Sequence, residues 1–174
     1  SSYGARLEYG LETDNNFLKL VANYKKDIHE DINTVTSKLE KKNEGHIISI
    51  GVEDSYTITD SLEILAGISY DRLVADKAFD SKPDGYTGLS TMSAFNPQAA
   101  IIYGFNTESK LKASVSQKTY LPSMRDRYSA GMGKIEPNPN LKKEITTHYE
   151  LGYTYQNDSV FLGTNIYFSQ AKDA

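Results

Sequence analysis

The sequence predicts an all-β fold: an antiparallel up-and-down transmembrane β-barrel segment of about eight strands. Three observations predict it. Apolar and polar residues alternate with a period of two through most of the chain, as in strands with one apolar and one polar face. Short turns alternate with long polar connections, as in membrane barrels. No apolar run approaches the roughly 18 residues that a membrane helix needs.

Eight segments carry the alternation, and each has an apolar row opposite a polar or small row. Taken in chain order, the apolar rows are Tyr3 to Leu11, Leu18 to Tyr24, Ile48 to Val52, Leu62 to Tyr70, Ala99 to Tyr103, Leu111 to Val115, Tyr149 to Tyr155 and Leu162 to Phe168. Each segment is close to the roughly 9–11 residues of a tilted transmembrane strand. Residues 30–42 come nearest to a helical pattern, but Thr and Asn interrupt it, so we expect a polar loop there.

The connections predict the topology. We expect short turns near 13–16, 57–60, 105–109 and 156–159, and long loops near 27–45, 74–94 and 120–145. Because the first and last connections are both short, both chain ends should lie on the long-loop side. Complete bacterial barrels normally keep both ends on the other side. We therefore expect residues 1–174 to be a single segment of a larger barrel.

Composition excludes several classes of function. Among its 174 residues the chain has no Cys, which excludes disulfides and Cys-based zinc or redox sites. The net charge of −4 is mixed along the chain and gives no basic surface for nucleic acid. The mean hydropathy is polar, at −0.52. This value suits a barrel, in which only alternate residues face lipid.

The exposure of the two faces of each strand distinguishes a membrane barrel from a soluble alternative. A soluble antiparallel binding module would bury the apolar row in one dry core. A barrel would turn that row outward and the polar row inward, and its tyrosines near strand ends would form an interfacial girdle. A small self-contained outer-membrane barrel, adhesive or structural, is the other alternative. The apolar row contains Leu7, Leu20, Ile50, Ile64, Ile101 and Leu151, and the polar row contains Arg6, Glu8, Lys19, Glu53, Glu63, Lys112 and Glu150.

Several motifs carry a family resemblance. Residues 137–144 run into Tyr149-Glu150-Leu151-Gly152 and match an Asn-Pro-(Asp/Asn)-Leu-Lys-x-Glu…Tyr-Glu-Leu-Gly signature. Asn96-Pro97-Gln98 and the run from Tyr120 to Met124 match two further motifs in the same order. Together they resemble the late barrel of TonB-dependent outer-membrane receptors. The chain departs from the family in having Lys143 where a Pro is usual, and in having no plug domain, TonB box or terminal aromatic strand.

The resemblance implies a 22-stranded barrel, plugged in its lumen, in the bacterial outer membrane. It implies import of a scarce ligand such as a ferric siderophore, haem, cobalamin or another metal complex. The implied partners are outer-membrane lipid, a small metal-chelate ligand and, through a plug domain only, TonB. It implies no resident cofactor.

One loop offers candidate ligand contacts. Arg125 and Arg127 flank Asp126, with Tyr120 and Tyr128 nearby. Two guanidinium groups and two phenols suit an anionic chelate with aromatic rings. The alternative is a loop held together by its own Arg–Asp pairing, which is common and contributes little to stability when exposed.

Metal binding has weaker support. Met92, Met124 and Met132, with His46 and His148, are residue types that bind copper. No two of them have a short ligand-like spacing, so we predict no metal site.

Catalysis also has little support. The chain has no Gly-x-Ser-x-Gly, His-Glu-x-x-His or Gly-rich phosphate motif. Glu53 and Asp54 are adjacent and should point to opposite faces of a strand, so they cannot act as a paired acid and base. We predict that the protein is not an enzyme.

Overall fold

The computed structural model describes residues 1–80, 89–128, 138 and 140–172. These residues form eight strands and one short helix. In chain order they are β1 (Ser2–Glu12), β2 (Asn16–Ile32), β3 (Leu39–Thr59), β4 (Leu62–Asp80), β5 (Thr91–Gly104), β6 (Ser109–Tyr120), α1 (Met124–Tyr128), β7 (Glu144–Gln156) and β8 (Phe161–Lys172). Within the described ranges there is no helix long and apolar enough to cross a bilayer.

The eight strands form one antiparallel sheet in the order β1-β2-β3-β4-β5-β6-β7-β8. Every strand pairs with its neighbour in sequence, which is the up-and-down topology predicted from the alternating connections. The sheet is open, with β1 and β8 at its two edges. The predicted all-β fold and strand count are therefore confirmed, and the eight strands do not close on themselves as a small self-contained barrel would.

The apolar row lies exposed on one face of the sheet, which we call the outward face. Leu7 is 70% exposed and Ile50 is 57% exposed. Leu20, Ile64, Ile101 and Leu151 are also exposed. The dry core that a soluble module requires is therefore not formed by these residues, and the barrel arrangement is the one observed.

The polar row lies on the opposite, inward face, where its side chains bond one another across strands. The Nζ of Lys19 lies 3.5 Å from a carboxylate oxygen of Glu8. The amide of Gln98 donates to Glu53, two strands away. Asp54, the next residue, instead accepts from Asn16 at 3.2 Å. The first two contacts join different strands on the inward face, whereas the Asp54–Asn16 bond lies on the outward face.

Asparagine side chains build two of the short turns. The Oδ1 of Asn106 accepts from the backbone N–H groups of Glu108 at 3.0 Å and Ser109 at 2.7 Å. The Oδ1 of Asn157 likewise accepts from Ser159 and Val160, at 3.0 and 2.8 Å. Such bonds let an Asn replace a backbone acceptor, and they close tight turns.

The long loops predicted at 27–45 and 74–94 are wrong in extent. Pairing of β2 with β3 continues to Ile32 and Leu39, and pairing of β3 with β4 reaches Asp80. The upper halves of these strands resemble loops in sequence because charged residues occupy both faces. Cross-strand ion pairs such as Lys42–Glu30, at 2.6 Å, compensate for the missing apolar row.

A β-bulge interrupts the ladder between β3 and β4. Glu44 pairs with Lys77 and the next residue, Gly45, pairs with Ala75, so Asp76 is an extra residue in β4. On the outward side of the sheet, the Oδ2 of Asp76 lies 2.9 Å from the Nδ1 of His46, within hydrogen-bond distance. Below the bulge the even-numbered residues of β4 face outward, and above it the odd-numbered ones do.

Candidate functional site

Helix α1 begins with a capping box. The backbone N–H of Asp126 donates to the Oγ of Ser123 at 3.2 Å, and the carboxylate of Asp126 accepts from the backbone N–H of Ser123 at 2.9 Å. This reciprocal pair satisfies two backbone donors that a helix start leaves open. The sequence predicts a loop here, because five residues are too few to show an apolar stripe. The Ser123-x-x-Asp126 spacing is the one local signal of this helix start.

The same carboxylate binds Tyr120. The phenol of Tyr120 donates to the Oδ2 of Asp126 at 2.6 Å. This hydrogen bond raises the pKa of Tyr120 above its usual value of 10.0 because ionisation would place two negative charges together. Tyr120 is 56% exposed, so its ring remains open to a ligand. The contact connects the end of β6 to the first turn of α1.

The helix packs on the inward face of β3 and β4. Met124 and Tyr128 are buried together with Ala75. A Cβ added at Gly45 would lie 2.8 Å from the Cγ of Met124 and 3.0 Å from the carbonyl oxygen of Val74. Only a glycine at position 45 allows the helix to approach this closely.

Arg127 is fully buried. Its Nη1 donates to the carbonyl of Ser90 at 3.2 Å and also to the Ser90 hydroxyl. Its Nη2 donates to the sulfur of Met124 at 3.4 Å, and its guanidinium carbon lies 5.2 Å from the ring centre of Tyr128. Burial lowers the pKa of Arg127 from its usual value. Among the described residues its Nε has no partner.

The structure thus brings together three of the four predicted ligand contacts, but not as one open surface. Tyr120 is exposed, whereas Arg127 is 0% and Tyr128 is 1% exposed. Arg125 lies in the same helix, and its side chain is outside the described part of the structure. Sequence reasoning missed Ser90, which anchors Arg127, because the two residues are far apart in sequence.

The Asn-Pro motif has a structural explanation. Pairing of β5 with β6 stops at Gln98. Beyond that point Asn96 connects the strands: its Oδ1 accepts from the N–H of Thr119 at 2.8 Å, and its Nδ2 donates to Asp71 at 2.7 Å. Pro97 has no N–H to donate, so the asparagine side chain takes over the connection where the strands separate.

The long signature is only partly described. Pro137 and Pro139 lie outside the described residues. Lys143, the departure from the family pattern, donates from its Nζ to the carbonyl of Ser93 at 2.9 Å. Gly152 pairs with Asn165, whose Oδ1 occupies the place that a Cβ at position 152 would take. The lysine therefore fixes the segment that leads into β7.

The inward side chains of β2 to β7 line a common cavity of about 510 Å³. Its lining is mixed, with the charged and polar side chains Asn23, Glu53, Asp71, Asn96, Lys118 and His148 beside Ile50, Val52 and Ile68. Charged and amide side chains on the inward face, opposite an exposed apolar face, are the arrangement of a membrane barrel with a wet lumen.

The predicted absence of a copper site remains a prediction. Met92 lies in β5 and Met124 in α1, rather than in open loops, and His46 and His148 lie within strands. Met132 is outside the described residues. The described part of the chain holds no group of three or more His, Asp or Glu side chains suited to a metal ion.

Comparison with known proteins decides the family. The family described as "TonB dependent receptor-like, beta-barrel" matches residues 2–174. The chain belongs to this family. No curated protein matches the chain.

Solved structures of this family share its fold. The copper transporter OprC superposes with a TM-score of 0.82 at 14% identity, over 99% of this chain and 30% of its own. The FrpB iron transporter from Neisseria meningitidis (F3-3 variant) gives 0.77 at 19% identity, over 99% and 28%. The ferric-catecholate import receptor Fiu from E. coli K12 gives 0.54 at 11% identity, over 98% and 31%. The chain spans about 30% of the length of OprC.

Proposed function

We propose that this chain is barrel wall of an outer-membrane, TonB-dependent receptor that imports a scarce small ligand. The observation that supports it is the family match over residues 2–174, together with an exposed apolar face opposite a cavity that charged and amide side chains line in part. Lipid would cover the outward face, and the ligand and plug would meet the inward one. The chemistry required is binding and passage, so the proposed role is transport rather than catalysis.

The proposed ligand is a metal complex. Proteins that share the fold are a copper transporter, an iron transporter and a ferric-catecholate import receptor. A ferric siderophore, haem, cobalamin and a copper complex are therefore the candidates to test.

We propose that the segment from Tyr120 to Tyr128 contributes to the ligand site. Tyr120 offers an exposed phenol for stacking or hydrogen bonding. Arg127 and Tyr128 are buried and would act as positioning residues that hold the segment against β3 and β4. Arg125 is the remaining cation proposed to reach an anionic ligand.

Uptake measurements test the transport proposal. Cells carrying or lacking the intact receptor gene are given radiolabelled ferric siderophore, haem, cobalamin and copper complexes, in strains with and without TonB. We expect accumulation of one ligand that needs both the receptor and TonB. Equal accumulation of all four with and without the receptor would contradict the proposal.

A matched pair of variants tests the site. Tyr120→Phe keeps the ring and removes the hydroxyl, whereas Tyr120→Ala removes both. If the ring contacts the ligand, Tyr120→Ala should raise the concentration for half-maximal uptake by about tenfold, which corresponds to a loss of about 1.4 kcal/mol of binding free energy. Tyr120→Phe should raise this concentration less, because the aromatic ring remains. Unchanged uptake in Tyr120→Ala would remove this residue from the site.

A further inference from the structure

The outward face of β1 to β5 carries an apolar groove of about 480 Å³. One cross-strand row runs along it, in the order Leu7, Ala22, Ile50, Tyr70 and Phe95. Ala22 is the small member of this row and leaves a depression between its larger neighbours. The rings of Tyr70 and Phe95 close one end, with centres 4.8 Å apart.

An exposed cation stands beside this groove. Arg72 follows Tyr70 by two residues on the same face, a distance of about 6.8 Å along a strand. Its cross-strand partners are Ile48 and Ser93. Among the described residues its guanidinium forms neither an ion pair nor a hydrogen bond. An arginine in this condition can offer its full fork of donors to an anion.

Neighbouring basic side chains on the outward face already have carboxylate partners. Lys26 lies 3.6 Å from Asp76, and His46 lies 2.9 Å from the same carboxylate. Lys42 lies 2.6 Å from Glu30. Arg72 differs from these groups because no described carboxylate meets its charge.

We propose that this surface binds one phosphate-bearing membrane lipid. The phosphate accepts from the guanidinium of Arg72, and an acyl chain fills the groove over Ala22. An arginine fork matches phosphate geometry, and an apolar groove that begins one cross-strand row away, at Tyr70 and Phe95, matches the remainder of an amphiphile. The inference rests on the proposed function, since it requires the outward face to meet lipid.

Native mass spectrometry of the intact, detergent-purified receptor tests the site. The probes are phosphatidylglycerol and a diacylglycerol with the same chains, which lacks the phosphate. We expect the wild-type protein to retain one phosphatidylglycerol in preference to diacylglycerol. Equal retention of both lipids would overturn the proposal.

Variants separate a specific site from general adhesion. Arg72→Gln should lower phosphatidylglycerol retention roughly fivefold, the effect of about one basic residue at a membrane surface. Lys112→Gln removes the same charge from the exposed inward face and should leave retention unchanged. Ala22→Leu fills the depression and should lower retention of the lipid while Arg72 is intact. Identical retention in Arg72→Gln and Lys112→Gln would overturn the site.

Two further outcomes are informative. If Arg72→Gln and Ala22→Leu reduce dimer formation and leave lipid retention unchanged, the surface joins two copies and the lipid proposal is wrong. Uptake and outer-membrane recovery of the wild-type receptor test the proposed function separately. A transporting receptor whose Arg72→Gln variant retains lipid normally overturns the lipid site alone.

Discussion

The Nη1 of Arg127 donates to the backbone carbonyl of Ser90 at 3.2 Å and so connects α1 to the residues just before β5. The guanidinium also donates to the Ser90 hydroxyl. One buried side chain therefore joins two segments that are 37 residues apart in sequence.

Replacing Arg127 should release α1. Arg127→Ala removes the bonds to Ser90 and the packing against Tyr128, so the docked helix should lose about 1–3 kcal/mol. Ser90→Ala removes only the hydroxyl and should cost about 0.5–1.5 kcal/mol. Hydrogen exchange of the amides in residues 124–128 measures both. Exchange at wild-type rates in Arg127→Ala would show that the side chain does not hold the helix.

The capping box makes a second prediction. Ser123→Ala removes the acceptor for the N–H of Asp126, and we expect the helix to lose about 1 kcal/mol. Ser123→Thr keeps a hydroxyl and should retain most of the protection of these amides. Equal protection in the alanine and threonine variants would mean that the cap does not stabilise α1.

Gly45 and Met124 should be energetically coupled. Gly45→Ala places a methyl group 2.8 Å from the Cγ of Met124, and we expect a cost of about 1–3 kcal/mol from overpacking. In a double-mutant cycle, Met124→Ala should relieve part of this cost. Limited proteolysis of residues 121–143 gives the readout. If the free-energy costs of the two substitutions were strictly additive, the helix would not pack on Gly45 through Met124.

The pairing of Lys42 with Glu30 and Glu44 should give the upper ends of β2 and β3 a pH dependence. Hydrogen bonds to Glu30 and then Glu44 raise the pKa of Lys42, and the bond to Lys42 lowers the pKa of Glu44 below 4.5. The stability that Glu44 contributes to the folded state is present above its usual pKa and is lost as the pH falls through its lowered pKa. The stability that Lys42 contributes is lost only as the pH rises through its raised pKa.

Hydrogen exchange of residues 39–44, corrected for the intrinsic pH effect, checks this prediction. The wild-type protein should lose protection in acid, and Lys42→Gln should show a flatter profile. Glu12→Gln changes a distant exposed carboxylate and serves as the control. A wild-type profile that matches the Lys42→Gln profile would contradict the assignment.

The sequence predicted the lower part of the sheet, next to the short turns, because one face there is uniformly apolar. Leu20, Ile50 and Ile64 alternate with polar residues, and only a strand has that period. Nearer the upper ends of the strands, apolar and polar residues no longer alternate, so the pattern no longer predicts a strand. In β2, Lys25 and Lys26 point to opposite faces but have the same character, so the strand resembles a loop.

The candidate site was less predictable because it depends on contacts between distant segments. The burial of Arg127 requires Ser90, Gly45 and Met124 to meet, and no local pattern encodes that meeting. Tyr120 and Asp126, six residues apart, were placed in the same loop from the sequence, and their hydrogen bond was not predicted. The sequence shows which side chains lie near one another along the chain, whereas it does not show which of them are exposed and which are buried.

The extra residue at Asp76 separates two parts of β4 in which opposite sets of residues, even-numbered and odd-numbered, face outward. Below it, each side chain must keep its side because the apolar and polar rows lie on opposite faces. Above it, the alternation starts afresh in β4. A one-residue insertion or deletion between Lys77 and Asp80 would change which side chains face outward only above the bulge, and the pairing of Ile64, Ile68 and Tyr70 with β3 would stay in register. The bulge thus lets the two ends of β4 accept sequence changes independently of each other.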